Sequence, residues 1–291
     1  MKRVGVVGLG DMGSGLAKNL IKNGFETTGL DVDAARMAAF LEMGGKPANS
    51  VAQLGSDSDA VFVILGSEGL VSHMSRGGAV ILTATIKPSE AREIGDAIEG
   101  SGIALIDSPV SGGFPGAQNG SLTMMAAGNS DALDEFRPVM EAVSKTIHRV
   151  GEHAGEGQVM KSCLQTLIGS IFGATFEAAA LAAKAGVSGQ KLFDVFSTSG
   201  AGCGVANTAL ANIIDRKFEG TGSGIGTMHK DLTISLGMAE ELGVPMFMAS
   251  TAMQIFHQGK TRYPQGDNWV CTRIMEEIVG AELHRERGIS Q

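Results

Sequence analysis

The sequence predicts an α/β protein in two parts, a doubly wound parallel sheet over residues 1–153 and an all-α domain over residues 154–291, joined by a long helix. Three observations predict it. Short β-branched runs alternate with helical stretches through the first half, which implies parallel strands with helices on both faces. Strand-like runs then stop near residue 152. From there the chain is a succession of helix formers, beginning with nearly thirty residues free of proline.

The elements follow in order. Val4, Val6 and Val7 form a buried strand, and Gly8, Gly10 and Gly13 then fall in G-x-G-x-x-G spacing before Leu16, Ala17, Leu20 and Ile21 take up helical periodicity. This is the strand, turn and helix start of a Rossmann-type dinucleotide site. Gly8 permits the turn, Gly10 lets the backbone approach a pyrophosphate, and Gly13 lets helix and strand pack closely. Phe25 to Leu30 is the second strand. Asp31 ends it at about the ~20-residue distance at which an acid receives the ribose hydroxyls.

Residues 33–43 suit a helix capped by Asp33 and stopped by Gly44 and Gly45. Val61 to Leu65, Ala79 to Thr83 and Ile103 to Ile106 are further strands, with a helix from Ser89 to Glu99 behind Pro88. Ser121 to Ala127 and Thr146 to Val150, flanking a helical 131–142, extend the sheet. The long helix runs from Gly157 to Ala185. Gln190–Thr198, Asn207–Ile214, Met228–Leu242, Pro245–Gln258 and Asn268–Val279 are expected to be helical as well.

Composition narrows the function. At 291 residues the chain holds about two domains by the rough rule of ~150 residues each. A net charge of −8 without a basic stripe argues against nucleic acid, and no apolar run with the flanks of a membrane span appears. Glycines and Asp11 interrupt the N-terminal valines before they resemble an export signal. Cys163, Cys203 and Cys271 are widely spaced, so reduced thiols and a cytoplasmic setting are expected. None of the six histidines forms an H-x-x-x-H pair, and no metal is expected.

Four blocks at ordered separations carry a resemblance: Gly8-Leu9-Gly10-Asp11-Met12-Gly13, Asp107-Ser108-Pro109-Val110-Ser111-Gly112-Gly113, Gly157-Gln158-Val159-Met160-Lys161 and Lys230-Asp231-Leu232. Over almost its whole length the sequence resembles the β-hydroxyacid dehydrogenases, a family that includes 3-hydroxyisobutyrate, tartronate semialdehyde and threonate-type enzymes. The resemblance implies NAD(P)-dependent hydride transfer between nicotinamide and a short, anionic β-hydroxy acid. It also implies a homodimer or homotetramer paired through the helical half.

Roles are implied residue by residue. Ser111, Gly112 and Gly113 form the substrate turn, exposing backbone N–H groups and one hydroxyl suited to a carboxylate. Lys161 is the general acid/base. Its helical neighbours Val159, Met160, Leu164, Leu167 and Ile168 suggest little solvent-facing surface, so desolvation or a nearby positive charge would lower its pKa toward neutrality. Gln165, one turn later, orients substrate; glutamine there resembles the threonate-type branch, which favours a four-carbon sugar acid. Gly8, Leu9, Gly10, Asp11, Met12, Gly13, Asp31, Leu65, Thr85 and Lys230 are the cofactor residues. His229 is expected on the helix surface, with no serine or carboxylate paired to it in a triad-like arrangement.

Asp31 favours NAD, because a carboxylate repels the 2′-phosphate of NADP; Arg36, one helical turn on, is the residue able to offset that repulsion. Two departures stand out. Only thirteen residues separate Leu65 from Ala79, and Gly66 stands where relatives have proline; Ala84 replaces a serine before Thr85. Two other readings share the scaffold, a non-catalytic nucleotide-binding module and an imine reductase. The first is expected to alter Lys161 or the Ser111–Gly113 turn and the second to replace the lysine; both the lysine and the turn are intact.

Overall fold

The computed structural model describes residues 2–64 and 69–286. Val61 to Ile64 of the expected strand therefore fall inside the described region, while its last residue, Leu65, and the departure at Gly66 lie outside it.

In chain order the first part contains β1 (Arg3–Val7), α1 (Asp11–Lys22), β2 (Glu26–Leu30), α2 (Ala34–Glu42), β3 (Lys46–Pro47), α3 (Val51–Ser56), β4 (Ala60–Val63), β5 (Ala79–Leu82), α4 (Pro88–Ile98), β6 (Ala104–Asp107), β7 (Val110–Ser111), α5 (Gly113–Asn119), β8 (Leu122–Ala127), α6 (Ser130–Glu135), α7 (Arg137–Glu141) and β9 (Ser144–Gly151). Strands β3, β2, β1, β4, β5 and β6 are parallel neighbours in that order. Strand β8 then runs antiparallel to β6 and β7, and β9 runs parallel to β8.

Helices cover both faces, because strands β1, β4 and β5 are buried on each side and need an apolar partner there. Leu16 and Leu20 of α1, Ala117 of α5 and Phe136 and Val139 near α7 pack on one face, with Val4, Val6, Phe62 and Ile81. Leu54, Leu70, Met74 and Ala91 pack on the other, with Val61, Val63 and Val80. Each fully buried Leu, Val or Phe contributes about 1.5–3 kcal/mol of burial free energy. Side-chain caps set helix starts: Asp33 accepts from Ala35 N and Arg36 N, and Ser50 accepts from Gln53 N.

Several expectations need correction. The single helix expected over 131–142 is two, α6 and α7, since Pro138 lacks the N–H that a continuous helix would use. Strands β3 and β7 and helices α3 and α5 are additions to the expected elements; each is short and carries too little periodicity to register.

The second part is helical: α8 (Glu156–Lys184), α9 (Gly189–Thr198), α10 (Gly204–Ile214), α11 (Ile225–Glu241), α12 (Phe247–Arg262) and α13 (Thr272–Val279), the last preceded by a 3₁₀ turn at Asn268–Cys271. Phe172 and Phe176 stack with ring centroids 6.0 Å apart, and Phe256 of α12 packs edge-on at 6.0 Å from Phe172. Ile213, Leu232, Trp269 and Leu283 complete that core. Helix α8 is long and apolar enough to cross a membrane by length and composition alone, and its Phe172, Phe176 and Ala179 are buried.

The chain divides into two compact units between Lys161 and Ser162, inside α8. The division lies later than the 153/154 boundary expected from composition, because the first turns of α8 are hydrogen-bonded to the sheet part.

Candidate active site

The nucleotide turn is built at the carboxyl end of β1. Gly8 takes φ +92°, and its N–H donates to Leu30 O at 2.9 Å, tying the turn to the end of β2. A Cβ on Gly13 would lie 1.7 Å from the Gly8 carbonyl oxygen, so α1 reaches the strand this closely only through glycine. At Gly10 the same added atom meets only the Arg36 guanidinium, at 3.6 Å or beyond. The backbone there is open on the side a pyrophosphate would approach. Gly10 caps α1 without a side-chain acceptor, which leaves first-turn N–H groups of Asp11, Met12 and Gly13 available to an anion. Leu9 is buried in the sheet core and Asp11 is exposed. The cradle fits a dinucleotide.

Asp31 is held beside that turn. Its Oδ2 accepts from Leu9 N at 2.6 Å and its Oδ1 from Asp33 N at 2.9 Å, and Arg36 Nη1 lies 3.6 Å from Oδ2. Its side chain is almost fully buried. Burial pushes the carboxyl up, but the two backbone N–H donors and the Arg36 guanidinium outweigh it and hold Asp31 below the usual carboxylate range. The ionised form is thus the acceptor presented at the turn.

The second turn follows β7. Ser111 pairs with Thr123 of β8, and Gly112 and Gly113 both adopt positive φ, +128° and +58°. Two successive residues in that region require glycine, which bares the backbone at the start of α5. Lys161 belongs to the same unit: its Nζ donates to Val110 O at 2.8 Å, directly before Ser111. Only 7% of Lys161 is exposed. The expected apolar sheath is incomplete, however, since Met160 and Leu167 are 45% and 59% exposed. They point off a neighbouring side of α8, about 100–120° round the helix from Lys161, as their helical offsets require.

Thr85 sits between Ala84 and Ile86, whose backbone groups are both bonded to Gln158: Ile86 N donates to Oε1 at 3.2 Å and Nε2 donates to Ala84 O at 3.0 Å. Gln158 stands within the Gly157–Lys161 block, yet nothing in the sequence gives it a role. Its partners lie more than seventy residues away in the chain, which no local pattern reveals.

In the helical unit, Gln165 is 7% exposed and its Nε2 donates to Asp231 Oδ2 at 2.5 Å. Because a carboxylate only accepts, this pairing fixes the amide's orientation and turns its carbonyl oxygen away from Asp231. Lys230 Nζ lies 2.8 Å from the other oxygen of Asp231, with half of its side chain exposed. The structure thus brings Gln165 and Lys230 together through Asp231. His229 Nε2 lies 3.1 Å from Nδ1 of a second histidine, His257. Burial, with Lys260 and His257 nearby, lowers its pKa.

Comparison with known proteins agrees with this geometry. Residues 3–151 match the NAD binding domain of 6-phosphogluconate dehydrogenase, and residues 155–272 match the NAD-binding domain of NADP-dependent 3-hydroxyisobutyrate dehydrogenase. L-threonate dehydrogenase of Escherichia coli O6:H1 is 32% identical over 289 residues, covering 95% of each chain. The crystal structure of 3-hydroxyisobutyrate dehydrogenase from Salmonella typhimurium superposes with a TM-score of 0.86 at 29% identity, over 94% of this chain and all of that one. The Mycobacterium tuberculosis 3-hydroxyisobutyrate dehydrogenase described with L-serine gives 0.86 at 26% identity, over 94% and 99%. With a dinucleotide turn whose glycines answer to close packing and positive φ, and relatives matched end to end, the chain belongs to the β-hydroxyacid dehydrogenase family and is an NAD(P)-dependent oxidoreductase of hydroxy acids.

Proposed function

We propose that the protein oxidises a four-carbon sugar acid of the threonate type, or reduces the matching keto acid, with Lys161 as the general acid/base. The observation that carries this reading is the Lys161 ammonium group, nearly buried and held 2.8 Å from Val110 O at the root of the Ser111–Gly113 turn. Backbone N–H groups and the Ser111 hydroxyl of that turn hold the substrate carboxylate. The neutral Lys161 amine takes the proton from the substrate hydroxyl in oxidation, and its ammonium form returns that proton in reduction. Gln165, its amide nitrogen occupied by Asp231, offers a carbonyl acceptor to a further substrate hydroxyl, a group that a sugar acid has and 3-hydroxyisobutyrate lacks. The names of the threonate dehydrogenase relatives support the same substrate class.

Gly8 to Gly13, Asp31, Thr85 and Lys230 are the residues assigned to NAD, which supplies the hydride acceptor when bound. Asp31 disfavours a 2′-phosphate there, although Arg36 stands close enough to soften the preference.

The test is a panel of hydroxy acids, L-threonate, 3-hydroxyisobutyrate and L-serine, assayed with NAD against wild type and Lys161→Ala. L-threonate is expected to give the highest kcat/KM. Loss of a positioned acid/base should lower kcat by about 10²–10⁴-fold. A loss of only a few-fold in Lys161→Ala would remove Lys161 from the chemistry.

A further inference from the structure

Two fully buried polar side chains of the sheet unit, Asp107 and Gln158, take no part in the chemistry proposed above. Asp107 closes β6. Its Oδ2 accepts from Gly155 N at 2.8 Å and from Gln158 N at 3.2 Å, so a carboxylate from the sheet caps the first turn of α8 across some fifty residues of chain. Its Oδ1 accepts from Gln158 Nε2 at 2.8 Å. Gln158 in turn holds Ala84 O and Ile86 N, one on each side of Thr85. A Cβ on Gly157 would lie 2.6 Å from Asp107 O and 2.7 Å from Met125 O, so α8 sits directly on the ends of β6 and β8 at this point.

The consequence is geometric. One side chain connects three things the chemistry needs in register: the Thr85 segment, the end of β6 that leads into the Ser111 turn, and the helix turn immediately before Lys161. All of these lie within one compact unit. Burial pushes the Asp107 carboxyl up, against the pull of its Gln158, Gly155 and Gly157 donors. Its remaining stabilisation therefore comes from those hydrogen bonds, and Gln158 supplies two of them.

We propose that Gln158, anchored by Asp107, is a positioning residue for hydride transfer, fixing Lys161 and the Thr85 segment in one frame. It touches neither substrate nor hydride and acts through Lys161. The inference rests on the assignment of Lys161 as acid/base.

The experiment uses the full chain with Gln158→Met, which keeps length and removes every hydrogen bond of the side-chain amide. Gln158→Asn, whose amide is too short to span its partners, takes its place under the same criteria if the methionine variant does not fold. Misplacing a catalytic group by about 1 Å costs on the order of 10²-fold, so kcat should fall about 30-fold or more while KM for NAD stays within about threefold. In cofactor-free protein, acylation of Lys161 by an amine-reactive ester, read by peptide mass and normalised to Lys230, should rise about fivefold as the bond to Val110 O loosens. In the Lys161→Ala background, adding Gln158→Met should change kcat by less than about twofold, because residues that act as a unit are non-additive.

A kcat within threefold of wild type, unchanged or lower labelling of Lys161, or an additive loss in the double variant would each overturn the proposal. If Lys161→Ala is itself nearly as active as wild type, the acid/base assignment fails instead. A severe Lys161→Ala beside a near-normal Gln158→Met sinks this inference alone.

Discussion

In the sheet unit, Asp31, Ser111 and Lys161 are held through backbone groups at strand ends: Leu9 N and Asp33 N, the pairing with Thr123, and Val110 O. In the helical unit, Gln165 and Lys230 meet on one side chain, Asp231. The first arrangement is redundant, because the hydrogen-bonded strands of one mixed sheet fix many backbone positions at once. The second is joined at a buried carboxylate, through side-chain contacts. Substitutions in the two units should therefore fail differently, with steric and selectivity effects in the first and a graded loss of substrate handling in the second.

The largest expected effect is at Gly13. With a Cβ 1.7 Å from Gly8 O, Gly13→Ala has no relaxed solution short of moving α1 off the sheet. Moves of this kind in a packed core cost about 1–3 kcal/mol or more. NAD affinity measured by calorimetry should fall below detection, with a lowered Tm. Normal NAD binding in Gly13→Ala would show that the sheet unit is more deformable than its contacts indicate.

Next comes Asp31→Ser, which removes the carboxylate from the turn and leaves Arg36 without its ion-pair partner. Wild type should prefer NAD, and the variant should shift the ratio of kcat/KM for NADP over NAD upward by about 10–100-fold, the scale of one charge-assisted contact or more. An unchanged ratio would mean that Asp31 serves the turn alone, through Leu9 N.

The contrast between the units also explains what could be read in advance. The glycine turn, Asp31 at the end of β2, the cap at Asp33 and the long helix α8 were legible because each is local: a spacing, a run of apolar residues, a cap three residues from its partner. The Ser111 turn and Lys161 were legible through resemblance, not through pattern. Gln158 was not, since its bonds to Ala84 and Ile86 join segments that only the fold brings together. The exposure of Met160 and Leu167 escaped for the related reason that apolar periodicity on one helix does not say which face is covered. The same limit hid α3 and α5, which are a turn or two long.

The smallest expected effect tests the helical unit. Asp231 offers two oxygens, one to Gln165 Nε2 and one to Lys230 Nζ, and is itself almost fully buried. Asp231→Asn keeps the shape but has a single acceptor, because its other terminal atom is an NH₂ donor. If its oxygen takes Gln165, its NH₂ faces the Lys230 ammonium, which cannot accept; if its oxygen takes Lys230, its NH₂ faces Gln165, whose amide must turn over to accept and so gives up the orientation set by the carboxylate. A charge-assisted hydrogen bond is worth about 1.5–3 kcal/mol, so kcat/KM for either the sugar acid or NAD should fall by roughly 10-fold or somewhat more. The division of that loss is informative. If the substituted amide keeps Gln165, KM for the acid should hold while KM for NAD rises with the displaced Lys230; if it keeps Lys230, the pattern reverses. A kcat/KM within twofold of wild type would show that Gln165 and Lys230 do not depend on Asp231, and that the helical unit is as redundantly built as the sheet.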